Sequence, residues 1–313
     1  MTRFMPRASF PPADLPCPWL MFCHGQRLNT QTFYSVTEAS FPVKRIPDIL
    51  GKRIHASFHE WMVMVDNYSS DCFLLNIISL EKVDLPPWEF VPHQFWILSA
   101  PPTDDNCIVG FISEDGQCIT FCCPGDGEWA EHMFEPDIGP LMDYTVCKGE
   151  IYFHGLQENL VILDIVDHRV EVRHILRDNR TPSSPLIPEI FRTSTWLIES
   201  CEEIFLVHVS KLGASEKKIR DIDIFKLDLS VLEWVKVESL GDRTFFINGT
   251  TNCISCSSTK SEMVGLEPFS FFICSLRSVP AAQRILGTDA AQEASFSLFI
   301  SLQGDKFSRY YIF

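Results

Sequence analysis

No stretch of the sequence stays apolar long enough to cross a bilayer. Runs such as Trp61 to Val65, or Val161 to Leu163 with Ile165 and Val166, stop far short of the ~20 residues a membrane helix needs. Positive charge is scarce too: 26 Lys and Arg face 41 Asp and Glu, a formal net charge of −15. Nucleic-acid affinity is built on Lys and Arg against phosphate, so this balance argues against that partner. It argues equally against an anionic membrane surface. Met1 to Phe10 carries Arg3 and Arg7 but runs on into Pro11, Pro12 and Asp14, without the apolar centre of a secretory signal. A sustained stripe of 3.6-residue period is missing as well, which excludes a helical bundle.

Local signatures of chemistry are also lacking. There is no Gly-x-Ser-x-Gly elbow, no phosphate-binding Gly-rich loop and no paired-His metal signature. In His55-Ala-Ser-Phe-His59-Glu60 the Glu follows both His, whereas zincin chemistry puts it between two His on a helix. Asp104-Asp105 and Gly125-Asp-Gly-Glu128 fall short of the six or more oxygens that calcium takes, and read as hairpin tips. No cofactor and no metal is expected.

What the chain does have is apolar mass. Hydrophobic residues make up 46% of 313, with 25 Phe, too many for a disordered chain. A chain of this length buries roughly three quarters of its unfolded surface. The twelve Cys, with no signal peptide before them, read as reduced thiols of the cytoplasm or nucleus. Cys23, Cys118, Cys122 and Cys274 sit in apolar runs, where free Cys behaves as a small buried hydrophobe. Cys253 and Cys256 have ligand spacing, but no second pair completes a four-ligand zinc site.

The periodicity is that of strands. Arg169-Val-Glu-Val-Arg173 alternates strictly, and short apolar runs recur at Trp61 to Val65, Ile204 to Val207, Thr244 to Ile247 and Phe269 to Ile273. Four segments repeat one layout, an apolar strand, a turn residue and a second strand. Their turn residues Asn76, Cys123, Asp164 and Asp228 fall 47, 41 and 64 residues apart. A period near ~40–50 residues with four strands per unit is the signature of a β-propeller. Four-stranded blades are expected over 53–87, 95–134, 144–175 and 195–239, with a fifth from Thr244. The N-terminal group and a last strand, Arg309 to Phe313, are expected to share the closing blade. The fold expected is all-β, a propeller of six blades, with seven as the alternative. Residues 1–16 are expected to form a disordered extension, and 17–313 a single domain closed by N- and C-terminal strands.

Several stretches then match a family in order. They are Pro18-Trp19-Leu20, Phe33 to Val36, Ser57 to Asp66, Leu74 to Asn76 with Lys82 to Pro87, and Lys148 to Phe153. Trp234-Val-Lys-Val237 and Leu240-Gly-Asp-Arg-Thr-Phe-Phe246 complete the set. Together they resemble the plant F-box-associated KIB-type β-propeller family over roughly residues 17–275. The resemblance implies target recognition for a Skp–cullin ubiquitin ligase, and it carries no catalytic residue. Met1 to Cys17 is too short and Pro-rich for an F-box. A Skp-type adaptor is therefore expected only if an F-box lies upstream.

The expected function is accordingly a protein-interaction propeller and not an enzyme, with an unknown protein client, the acidic charge favouring a basic one. Trp88 and Phe90 in Pro86-Pro-Trp-Glu-Phe90, and Ser183 and Pro185 in the insertion before Pro188, are the candidate partner-binding residues. Trp88 reads either as an exposed anchor or, more in keeping with the burial of Trp, as packing between blades. Two alternatives remain: an enzyme with a site at the channel mouth, built for instance on His154 and His208, and a diverged non-functional paralogue.

Overall fold

A strand whose apolar residues run without alternation must be covered on both faces, and most of the strands here are of that kind. The computed structural model describes residues 19–24, 30–35, 43–44, 46–66, 69–88, 93–136, 138–155, 160–166, 169–176, 191–212, 219–240, 243–247, 253–257, 271–275, 298–303 and 306–311. Among them the regular structure is β, with one short 3-10 turn at Pro47–Ile49.

The first sheet takes β1 (Trp19–His24), β2 (Thr30–Ser35) and β3 (Val43–Lys44). The second is β4 (Lys52–Phe58), β5 (Trp61–Asp66), β6 (Cys72–Asn76) and β7 (Lys82–Asp84). The third is β8 (His93–Leu98), β9 (Val109–Ser113), β10 (Cys118–Cys122) and β11 (Ala130–Met133). The fourth is β12 (Leu141–Cys147), β13 (Glu150–Gly155), β14 (Leu160–Val166) and β15 (Arg169–Leu176). The fifth is β16 (Phe191–Ser200), β17 (Glu203–Leu212), β18 (Ile219–Asp228) and β19 (Glu233–Lys236). A hairpin follows, β20 (Arg243–Phe246) with β21 (Ile254–Ser257). Then come β22 (Phe271–Ser275) and a second hairpin, β23 (Leu298–Gln303) with β24 (Lys306–Tyr311).

Sheets two to five are antiparallel meanders in sequence order, close to the four blades expected from the repeats. The C-terminal part differs from expectation. Phe269 to Ile273 was expected inside a fifth blade, but β22 instead joins the first sheet, parallel to β1, with Trp19 opposite Phe271. The expected closing strand falls largely within β24, which among the described residues pairs with β23 and not with the N-terminal group. Alternation reports that a segment is a strand and leaves its partner open. The two hairpins adjoin through β20 and β23.

Consecutive sheets stack face to face, β22 beside β4, β4 beside β8, β12 beside β16 and β16 beside β21, and β12 also meets β8. Each seam between sheets is filled by side chains of one parity. On β5, Met62 and Met64 enter the seam with Met21 of the first sheet. Trp61, Val63 and Val65 enter the seam with Trp96 and Leu98 of the third. On β17, Ile204 and Leu206 face the fourth sheet, while Phe205 and Val207 face Phe245 of the hairpin. Burial on both faces explains the uninterrupted apolar runs. Each such side chain contributes roughly 1.5–3 kcal/mol. The outer strands carry charge at their exposed positions, Lys82 and Asp84 on β7, Glu171 and Arg173 on β15. This keeps the sheet edges from pairing with other chains.

Hydrogen bonds also cross the seams. The Tyr144 hydroxyl on β12 accepts the Leu98 N–H of β8 at 3.2 Å, and the ring stacks on Phe95 with centroids 5.8 Å apart. Tyr144→Phe keeps the ring and strands a buried N–H, so it is expected to cost roughly 1–3 kcal/mol in urea unfolding.

Candidate functional site

The connector after β7 is tied down by backbone. Leu85 N–H donates to Cys72 O at 3.0 Å, and Trp88 N–H donates to Ser70 O at 2.8 Å. The indole N–H of Trp129, on the third sheet, is shared between the carbonyls of Pro86 at 3.2 Å and Pro87 at 3.1 Å. The Trp88 ring is only 8% exposed. It lies edge-on to Trp96 with centroids 5.7 Å apart, while His55 packs on Trp96 at 5.1 Å. The structure thus places Trp88 as a packing residue between the second and third sheets. It also makes His55 a ring partner in the same aromatic cluster. Phe90, Ser183 and Pro185 lie outside the described residues.

Cys72, Cys107 and Cys122 share this seam. Cys107 Sγ–H donates to Ala100 O at 3.0 Å. Burial pushes Cys72 and Cys107 up to about 12, and Cys122 higher still. Since the thiolate is the nucleophile, these thiols are inert. Cys201, exposed in the turn after β16, is expected to take up iodoacetamide in the native protein. The three seam thiols are expected to react only in denaturant, as peptide mass mapping will show.

The seam between the fourth and fifth sheets is different in kind. Its wide part is apolar, with Cys147, Tyr152 and Ile162 against Leu197, Ile204 and Leu206. Strand parity carries the same layer onto polar residues: Asp143 and His154 from the fourth sheet, Thr195 and His208 from the fifth. Asp143 and His154 are direct cross-strand partners. All three titratable groups are buried, Asp143 at 3%, His154 at 7% and His208 at 3% exposure. Asp143 accepts Tyr144 N–H at 2.9 Å through one oxygen, and Leu197 N–H of β16 at 2.8 Å through the other. Thr195 Oγ1 lies 3.0 Å from His208 Nδ1. Burial, opposed by those two N–H bonds, raises the Asp143 carboxyl well above its ordinary range. Burial, and then the facing His208, lowers His154 to about 4.

The two His expected at a channel mouth therefore do come together, but inside a seam. Closed to solvent and with the carboxylate oxygens committed to backbone, this arrangement offers no reaction centre. Sequence reasoning missed Asp143 because the expected blade began at residue 144; the alternation Cys147, Thr145, Asp143 reaches it unbroken, and the β-bulge lies beyond it, between Leu141 and Asp143. It also missed the exposed apolar residues around the β18–β19 turn, Leu229, Val231 and Val235.

The profile described as KIB1-4 beta-propeller matches residues 33–280. The chain belongs to this family. The match spans the second to fifth sheets and β22, so the stacked meanders are those of a KIB1-4 propeller. An F-box/kelch-repeat protein of Arabidopsis thaliana is 23% identical over 252 residues, covering 79% of this chain and 68% of that protein. Among solved structures, the N-terminal domain of Nup159 is 10% identical with a TM-score of 0.40, covering 83% of this chain and 73% of that one. Apo AztD from Citrobacter koseri is 12% identical with a TM-score of 0.40, covering 74% and 62%.

In this KIB1-4 propeller the Trp129 indole is the latch on the Pro86–Trp88 connector. Trp129→Phe keeps the aromatic packing and removes the donor. Limited proteolysis is expected to cut near residue 90 several-fold faster, with a stability loss of about 1 kcal/mol.

Proposed function

We propose that this chain is a non-catalytic protein-interaction propeller that holds a basic client. The observation that carries this reading is the filling of the seams: with both faces of each sheet covered, recognition falls to turns and connectors. Exposed turn residues include Glu81, Asp104, Asp105 and Glu128, and the net charge is −15. Such a surface speeds encounter with a positive partner. Phe90, and Ser183 with Pro185, belong to connectors that lead from the outer strand of one sheet to the next sheet. We assign the client contact to them, and Trp88 supports the first connector from within the seam.

The F-box/kelch-repeat relative supports a finer reading, in which the propeller is the target-recognition part of a ubiquitin ligase acting in cytoplasm or nucleus. A Skp-type adaptor would then be engaged through an F-box and not through the propeller. Affinity purification from plant extract, with quantitative mass spectrometry at about 0.05 M and about 0.5 M salt, tests the reading. A basic client retained at low salt, released at high salt and weakened about tenfold by Phe90→Ala or Pro185→Ala, roughly 1.4 kcal/mol, is the expected result. Absence of any saturable client, or one indifferent to salt and to both substitutions, overturns it.

A further inference from the structure

The polar layer between the fourth and fifth sheets poses a problem of charge. A buried ion without a counter-ion is costly, and paired or neutral groups are what interiors keep. Asp143 takes its two hydrogen bonds from backbone N–H groups, and among the described residues no Lys or Arg pairs with it. Its direct cross-strand partner is His154, whose Nε2 is buried and finds no hydrogen-bond partner among the described residues. His208 faces them from β17, on the parity of Ile204 and Leu206.

Among the described side chains the other groups on this layer are few, and register also puts His174 of β15 opposite Ile162 and Asp221 of β18 opposite Ser210. From β12 there is Cys147, and from β13 Tyr152, whose hydroxyl donates to Glu150 at 2.6 Å. From β14, Asp164 is paired with Arg173 of β15. From β16, Glu199 sits at the far end of the strand and accepts Glu202 N–H at 2.7 Å. From β18, Asp223 stands opposite His208 and is paired with Lys236 of β19. None of these supplies a free cation to Asp143.

We propose that the closed seam holds one proton among Asp143, His154 and His208, so that the joint between the fourth and fifth sheets loosens in both acid and alkali. The three groups then behave as one coupled unit, neutral overall, wherever the proton resides. Opening the seam hydrates all three. Above pH ~6.5 an opened joint has ordinary neutral His and an ionised carboxylate, so opening releases the shared proton and higher pH favours it. Below that value both opened His take up protons while Asp143 gives one up, so opening takes up a net proton and lower pH favours it. The raised carboxyl and the lowered His154 agree with the two limbs. The other four seams have buried apolar clusters and share no such triad among the described residues.

Hydrogen exchange of the full chain, corrected for intrinsic rates, tests this at about pH 5, 6.5 and 8.5. Peptides over 141–155 and 191–210 are expected to show maximal protection near the middle value. Their opening is expected to rise about tenfold or more at each extreme, while peptides over 61–76 and 93–112 stay level. Asp143→Asn is expected to abolish the alkaline limb and leave the acid one, and His154→Gln to flatten the acid limb. Protection that is level across the range, or that changes equally in every seam, overturns the proposal. So does an Asp143→Asn protein that keeps its alkaline limb. Should both variants fail to fold, imidazole nitrogen shifts of the unaltered protein decide: at most one of His154 and His208 charged at pH ~6 supports the proposal, and both charged at that pH overturn it.

Discussion

Burial of both faces of each sheet against its neighbours is the constraint from which the rest of this structure follows. A sheet covered on one side only would show alternating apolar and polar positions. Here β5 and β17 are apolar at consecutive positions because odd and even residues enter different seams. The same constraint sets where variation is tolerated. A polar substitution on such a strand is buried whichever way it points and costs free energy unless a partner meets it. Sequence freedom is left to the turns, the connectors and the charged outer strands.

β12 shows how polar groups are admitted under that rule. Its neighbouring residues Asp143 and Tyr144 point to opposite sides, and each receives a backbone N–H from the next sheet: Leu197 on one side, Leu98 on the other. One strand thus joins three sheets by hydrogen bonds whose acceptors are side chains. Such bonds fix the offset between sheets, which apolar contact alone does not, since dispersion and apolar burial have no direction. Trp129 does the same at the periphery between the second and third sheets.

Much of this was legible in the amino-acid order. The four meanders follow from short apolar runs, turn residues such as Asn76 and Asp228, and a period of ~40–50 residues. Asn76 earns its place as a turn former, accepting the N–H groups of Ile78 and Ser79 at 2.9 Å each. The role of Trp88 was open between two readings, because an aromatic in a Pro-rich connector gives no sign of which way it faces. The ring lies buried and edge-on to Trp96, and the connector that carries it is held by the Trp88 N–H bond to Ser70 O, a contact of backbone with backbone that residue identity does not encode. Asp143 was hidden because a charged residue just before an apolar run reads as the end of the strand, and the parallel partnership of β22 with β1 was hidden because strand pairing is a property of two distant segments.

That partnership has a consequence for how the molecule is made. Trp19 and its opposite, Phe271, are separated by about 250 residues of chain. A ribosome adding ~5–20 residues per second therefore finishes β1 tens of seconds before β22 exists. The second to fifth sheets are local meanders that can assemble as they emerge, each offering its face to the next. The first sheet meanwhile waits with one side of β1 unpaired, and an open edge strand is a template for pairing with other chains. Every newborn copy passes through a stage in which β1 still lacks its β22 partner. Any product that stops before Phe271 never leaves that stage.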